Sequence, residues 1–154
     1  MAHKTKQQQA KGGLINRRAR YDYELGDEIV AGLSLTGAEV RAARDGHVQL
    51  KGSYVTAKNG ELWLIGTSFS VKLNEKGASL RTVDTRGRKL LAKRKQIDTF
   101  LDAKKQGLTI VPTKLLTSGR YIKIAIALGK GKRRYDKREA IKRRDQSRDI
   151  RQKI

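Results

Sequence analysis

Cysteine is absent from this 154-residue chain, which excludes disulfides and any thiolate-bound metal. Histidine is nearly absent. His3 and His47 are too few for a histidine metal site, so no metal or cofactor is expected and the fold must rest on packing. No run of about 18 apolar residues occurs, and residues 1–13 are basic and Gln-rich without the apolar stretch of a secretion signal. The expectation is a cytoplasmic protein with no membrane partner. Proline occurs once, at Pro112, and aromatic residues make up only 5% of the chain. Acidic residues are scarce too, 15 against 36 Lys and Arg, for a formal net charge of +21. Such an excess points to a polyanionic partner, RNA or DNA.

The charge is spread in a telling way. Residues 129–154 carry 12 Lys or Arg against 4 Asp or Glu, with few large apolar side chains. They cannot bury enough apolar surface to offset their ordering entropy, so this segment is expected to be disordered when free and to become helical on a polyanion. The preceding 128 residues hold 24 basic and 11 acidic side chains, so both parts are expected to touch nucleic acid. The division expected is a flexible basic segment over residues 1–13, one RNA-binding domain over 14–128, and a basic tail over 129–154.

Within the body the main signal is alternation. Ile122, Ile124, Ile126 and Leu128 sit two apart, with Tyr121, Lys123, Ala125 and Ala127 between them, which places the large aliphatics on a buried strand face and leaves the other half-exposed. Two strand-like runs flank Asn59-Gly60, the pair suited to a type I′ hairpin turn. Further strands are expected over 29–35, 48–51 and 108–111, with Pro112 marking an edge strand. Thr117-Ser118-Gly119-Arg120 reads as a turn. Thr36-Gly37-Ala38-Glu39 has capping-box spacing and predicts a helix from Gly37 to about Arg44, stopped by Gly46. A second helical region is predicted over 88–106, with Lys93-Arg94-Lys95 as a place to break it and Gly107 as its stop. Short antiparallel strands with two or three embedded helices predict a mainly β fold, an antiparallel barrel of the oligonucleotide-binding kind.

Enzyme motifs are missing. Gly129-Lys130-Gly131-Lys132 lacks the remaining elements of a phosphate-binding loop and reads as a flexible basic joint. His47 has no carboxylate at telling spacing, and a lone histidine is more often an ordinary residue than a general base.

Four blocks taken in order are more specific. They are Asn16-Arg17-Arg18-Ala19-Arg20-Tyr21-Asp22-Tyr23, the run of residues 31–41 from Ala31-Gly32 to Val40-Arg41, Arg86-Gly87-Arg88-Lys89-Leu90-Leu91, and Gly129-Lys130-Gly131-Lys132 with Tyr135-Asp136-Lys137-Arg138. Together they resemble the small protein B family, the SsrA-binding proteins, from about Ile15 to the C-terminus. The resemblance implies a non-catalytic monomer that binds the transfer-RNA-like end of transfer-messenger RNA and brings it to stalled ribosomes. Its tail would act on small-subunit RNA near the decoding centre and the empty messenger channel. By the same resemblance Asn16, Arg17, Arg18, Ala19, Gly37, Glu39, Val40, Arg41, Leu90 and Leu91 are RNA-binding, with Leu90 and Leu91 matching the second helix; Arg20, Arg86, Arg88 and Lys89 join the set because in a chain of net +21 several cations are expected to face phosphate, the alternative being ordinary solvated charge. Gly129, Lys130, Gly131, Lys132, Tyr135, Asp136, Lys137 and Arg138 form the ribosome-binding set. The chain departs from the family in having Val30 where a glutamate often precedes the Ala-Gly pair, and in lacking a Pro-Tyr pattern over residues 67–85, where a variable loop is expected.

Plainer roles compete at several positions. Glu39 fits a helix cap, Leu90 and Leu91 fit core, and Tyr21, Tyr23 and Trp63 fit packing better than base stacking. A structural ribosomal protein or assembly factor would share the composition, and a ribonuclease using His47 is a third reading.

Overall fold

Asn59 and Gly60 both adopt positive φ, 54° and 73°, and close the hairpin that the sequence predicts between β4 (Tyr54–Lys58) and β5 (Glu61–Ile65). The strands pair in one register, from Tyr54 opposite Ile65 to Lys58 opposite Glu61. This hairpin belongs to a computed structural model that describes residues 13–72, 81–132 and 134–153. The expectations for residues 1–12 and 73–80 lie outside the described residues, but the variable loop expected over 67–85 is corrected at both ends, where Ser68–Lys72 and Arg81–Asp84 are antiparallel strands paired from Phe69 opposite Asp84 to Lys72 opposite Arg81.

Before the hairpin come β1 (Leu14–Ile15), α1 (Arg17–Asp22), β2 (Tyr23–Leu33), α2 (Gly37–Arg44) and β3 (Val48–Gln49). After it follow β6 (Ser68–Lys72), β7 (Arg81–Asp84), β8 (Arg88–Leu91), α3 (Arg94–Lys105), β9 (Thr109–Leu116), β10 (Lys123–Gly131) and α4 (Arg134–Lys153). One sheet runs β1-β9-β10-β2-β8-β5-β4, and β4 also pairs antiparallel with β9 at Val55 and Ile110. A second sheet, β3-β6-β7, carries α2 against β6. The fold is mainly β with embedded helices, in an oligonucleotide-binding-like topology.

The alternation in β10 produces the expected core face: Ile122, Ile124 and Ile126 are buried with Leu62, Leu64, Phe69, Phe100, Ile110 and Leu115. Burying each such side chain contributes about 1.5–3 kcal/mol relative to exposure. The opposite face departs from expectation, because Ala125 and Ala127 are buried as well. Ala125 lies between Val30 and Lys114, and Ala127 between Glu28 and Val111, so the short methyls are sheltered by longer cross-strand neighbours.

Three further expectations are corrected. Residues 88–91 form β8, not the start of a helix; Leu90 pairs opposite Leu33 and Lys89 opposite Trp63, and cross-strand partners decide what a short apolar run leaves ambiguous. Helix starts only at Arg94, after Lys93, and ends at Lys105, two residues before Gly107, whose φ is +94°. Pro112 does not mark an edge. Strand β9 runs through it and is paired on both sides, and the register shifts where Ile126 meets Pro112; such a bulge lets a residue without an N–H sit inside a sheet. Finally, Gly129-Lys130-Gly131 is no flexible joint. It is the end of β10, paired with Leu25, Glu24 and Tyr23. Tyr23 covers Gly129 so closely that an added Cβ would meet its side chain at 3.0 Å, so a larger residue there would have to push the Tyr23 side chain aside by a few tenths of an ångström. The strands expected over 29–35 and 48–51 appear as the longer β2 and the two-residue β3.

Candidate nucleic-acid interface

Asn16 shows how the basic helix α1 is held. Its side-chain oxygen accepts from the Ala19 N–H at 3.2 Å as helix cap, and its amide nitrogen donates to the carbonyls of Pro112 at 2.9 Å and Leu50 at 3.3 Å. The Asn16 N–H also donates to Thr113 at 2.8 Å, so one buried residue ties α1 to the bulge in β9. Ala19 is buried beneath the helix, while Arg17, Arg18 and Arg20 are exposed. Arg18 donates to Asp22 at 2.9 Å and lies over the Tyr21 ring, 5.1 Å from its centroid. The sequence block therefore divides: Asn16 and Ala19 build the helix, and the arginines present charge.

A groove of about 750 Å³ crosses β2, β8 and the start of α3. Val30 and Leu91 face solvent there, 47% and 55% exposed, while the adjacent Leu90 is core at 1%. Lys89, Lys93, Arg94 and Lys123 surround them. Lys89 pairs with Glu61 at 2.8 Å, and Arg94 donates to the Gly60 carbonyl at 3.1 Å. Exposed aliphatic surface ringed by cations can meet sugar or base faces at its centre and phosphates at its rim. Sequence reasoning did not pick out Lys93, Arg94 or Lys123 for this site. The Lys93-Arg94 pair lies apart from Lys123 in the chain, and the two meet only through the pairing of β2 with β8 and β10, for which no local signal exists.

Beside the groove, Glu39 and Arg88 are buried together. Glu39 Oε2 accepts from Arg88 Nε at 2.6 Å, and its Oε1 accepts from Arg86 Nε at 3.0 Å and Nη2 at 2.6 Å. Arg88, 0% exposed, also donates to the carbonyls of Thr67, Arg86 and Asp84, and stacks on Phe69 at 4.0 Å. This alters the capping expectation: the Thr36 hydroxyl does accept from the Glu39 N–H at 3.3 Å, but the Glu39 carboxylate turns to the arginines instead of the Thr36 N–H, and accepts only from the Thr36 hydroxyl at that cap. Arg41 and Gly37 on α2 are exposed, Val40 is half-buried, and Arg86 is exposed. Glu39, Arg88 and Leu90 thus have no surface to offer a ligand.

At the C-terminal end, Gly129 is buried and Lys130 and Gly131 are exposed in the strand. The Lys132 N–H donates to the Asp22 carbonyl at 2.9 Å, its Nζ donates to the Arg20 carbonyl at 3.0 Å, and Lys137 Nζ lies 3.3 Å from Asp22 Oδ1. Tyr135, Asp136, Lys137 and Arg138 fall in the first turns of α4, and Arg138 is exposed. His47 is exposed between α2 and β3, and among the described residues no group of His, Cys, Asp and Glu could hold a metal ion.

Against known proteins, the model of the SmpB protein family matches residues 14–154. An SsrA-binding protein of Streptococcus thermophilus is 44% identical over 140 residues, 90% of each chain. Another, from Trichormus variabilis, is 43% identical over 136 residues, covering 88% of this chain and 87% of that one. A solved structure described as "tmRNA-SmpB: a journey to the center of the bacterial ribosome" contains a chain 38% identical to this one. The two superimpose with a TM-score of 0.63 over 84% of this chain and 94% of that chain.

Proposed function

The chain belongs to the SmpB protein family, and from that membership, with the groove across β2 and β8, we propose how it acts. It is an RNA-binding protein of trans-translation, with transfer-messenger RNA and the ribosome as its partners, and it catalyses no reaction. The groove takes the transfer-RNA-like part of the RNA, with Leu91 and Val30 against its sugar or base surfaces and Lys89, Lys93, Arg94 and Lys123 on its phosphates. The observation that carries this reading is the exposure of Val30 and Leu91 on strands whose neighbouring residues are core. Arg17, Arg18, Arg20, Arg41 and Arg86 add phosphate contacts. Asn16, Ala19, Glu39, Arg88 and Leu90 serve binding from beneath, by fixing those side chains.

The sheet forms a closed barrel. The bridge between Val55 and Ile110, which returns β4 to β9, supports closure. The body ends with β10 at Gly131, and the tail beyond it acts on the small ribosomal subunit near the decoding centre, through Lys132 and the Tyr135-Asp136-Lys137-Arg138 motif. Most of the described side chains of α4 are exposed, so its helix is marginal in the free chain and is fixed by ribosomal RNA. The setting is the cytoplasm; among the described residues no helix is long and apolar enough to cross a membrane.

Sequencing the RNA that co-purifies with the chain tests this reading. One abundant RNA with a transfer-RNA-like fold is the expected result. Stoichiometric recovery on all ribosomes without such an RNA would instead mark a structural ribosomal protein. Affinity for the RNA should fall with salt at a log–log slope of roughly −3 to −7, as for about 4–8 neutralised phosphates.

A further inference from the structure

The connection between β9 and β10 holds an aromatic side chain that the groove reading leaves unused. Tyr121 is 67% exposed, more than any other large apolar side chain among the described residues. A lone exposed aromatic needs no explanation by itself. What marks this one is how it is held. Arg44, the last residue of α2, reaches the connection from 73 to 76 positions earlier: its Nη1 donates to the Thr117 carbonyl at 3.3 Å, and its Nη2 to the carbonyls of Gly119 at 3.1 Å and Arg120 at 2.9 Å. A single guanidinium fork thus ties three backbone carbonyls with charge-assisted bonds, which a lysine could not span in the same plane. Thr117 and Ile122, at the two ends, are buried, so the freedom usual in a surface connection is removed. Tyr121 is left outside this clamp, with the Arg120 guanidinium 5.6 Å from its ring centroid, within cation–π range.

Its place in the fold is next to the groove. Ile122 turns into the core, while Lys123 on its far side lines the groove, paired opposite Gly32, which in turn pairs with Leu91. At about 3.3 Å per residue, Tyr121 stands about 7 Å beyond Lys123 along the line of the strand. No carboxylate occurs between Lys114 and Lys123. The end of the groove therefore offers a fixed aromatic ring and a cation beside it.

We propose that Tyr121 is a stacking platform for one unpaired base of the RNA held in the groove, with Arg120 on that nucleotide's phosphate and Arg44 as the positioning residue. The inference rests on the groove reading and adds to it a means of selection. Cations follow any RNA backbone, whereas a base must leave its helix to reach Tyr121. Stacking tolerates every base, so what is selected is an unpaired nucleotide at a set place beside the groove, not a sequence. A protein partner that buried the ring would bury the Arg120 guanidinium with it, at the cost of desolvating a charge. A nucleotide supplies a flat face to the ring and an anion to the guanidinium.

The test pairs changes in the protein with changes in the RNA. The full chain is titrated with the transfer-RNA-like fragment of transfer-messenger RNA and followed by fluorescence anisotropy, and each unpaired position of the fragment is replaced in turn by an abasic nucleotide. Tyr121→Leu should weaken binding about fivefold or more with the salt slope unchanged, since no phosphate contact is lost. Tyr121→Phe, which keeps the ring, should bind as the native chain does. One abasic position should weaken the native chain by a similar factor and cost Tyr121→Leu nothing further. Arg120→Gln should make the salt slope shallower by about 0.7, as for one phosphate of a single strand. Arg44→Gln should speed hydrogen exchange over residues 117–121 and lose affinity for the intact fragment, but not for that abasic one. Native affinity in Tyr121→Leu, or losses that add in full at every abasic position, would each overturn the proposal; native affinity together with lost tagging on stalled ribosomes would assign the ring to a ribosomal contact instead. Leu91→Ala is titrated alongside. If it binds as the native chain does, the groove reading fails, while the cycle between Tyr121 and the abasic fragments still decides this one.

Discussion

Removing the Glu39 carboxylate should unfold this protein far more readily than removing any exposed charge. In Glu39→Ala the guanidinium of Arg88, 0% exposed, keeps its carbonyl partners at Thr67, Arg86 and Asp84 and the part-exposed Asp84 carboxylate at 3.8 Å, but among the described residues it loses its one buried counter-charge, Glu39 at 2.6 Å. Leaving a buried charge uncompensated costs about 3–5 kcal/mol. The second arginine on Glu39, Arg86, is exposed, and its share is worth at most about 1 kcal/mol. A loss of about 4 kcal/mol is a large part of a typical domain stability of about 5–15 kcal/mol, and for a chain of this size it lowers the thermal midpoint by roughly 8–16 °C. Urea denaturation and thermal melting both read this out.

The double variant Glu39→Ala/Arg88→Met separates causes. Met fills the stem of Arg88 without its charge but leaves the buried Thr67 carbonyl without a donor, at about 1–3 kcal/mol. The double variant should therefore be less destabilised than the sum of the singles by about 2–3 kcal/mol. Additive singles, or a Glu39→Ala loss below about 1 kcal/mol, would refute the argument that the pair is a coupled buried unit. In the cold, where the variant is folded, its RNA affinity should stay within about threefold of native, under about 1 kcal/mol. Collapse of RNA binding with stability untouched would instead place Glu39 in contact with RNA.

Leu90→Ala should cost about 2–5 kcal/mol of stability by opening a core cavity, whereas Leu91→Ala, one residue on, should leave the melting midpoint within about 2 °C and weaken binding of the transfer-RNA-like fragment measured by gel shift. Arg17→Ala with Arg18→Ala should lower affinity for full-length transfer-messenger RNA about tenfold or more, while calorimetry shows a stability change below about 1 kcal/mol, since the Arg18–Asp22 pair is an exposed i,i+4 contact. Deleting residues 131–154, or replacing Asp136, Lys137 and Arg138 by Ala, should leave fragment binding largely intact and abolish peptide tagging on stalled ribosomes in a reconstituted translation assay.

The excess of charge, the Asn59-Gly60 hairpin, helix α2 and the core face of β10 were all legible in the sequence because each is decided within a few residues. Positive φ at Asn59 and Gly60 is a local preference, and the period of two in β10 needs no partner to be read. What was not legible depends on residues far apart. Residues 88–91 follow helical spacing with Ile97 and Phe100, but Trp63 and Leu33 pair with them as strands. Pro112 reads as an edge until Asn16, 96 residues away, fills the bulge beside it. Arg88 looks like any surface arginine, and only Glu39, 49 positions earlier, explains its burial. The blocks that identify the family mix both kinds of residue, since Arg86 and Lys89 reach solvent while Arg88 and Leu90 between them do not.

That mixture bears on how the two ends of the molecule work together. Strand β10 carries the core isoleucines Ile124 and Ile126 in its first half and Gly129 to Gly131 at its end, and the Lys132 N–H donates to the Asp22 carbonyl before α4 begins at Arg134. The direction in which the tail leaves the body is thus set by the same strand that flanks β2, whose Val30 lines the groove. On the proposed function, an RNA held in the groove and a tail acting on the ribosome would be linked through this paired strand. The glycines that looked like flexibility serve close packing at Gly129 against Tyr23, and sheet pairing continues as far as Gly131.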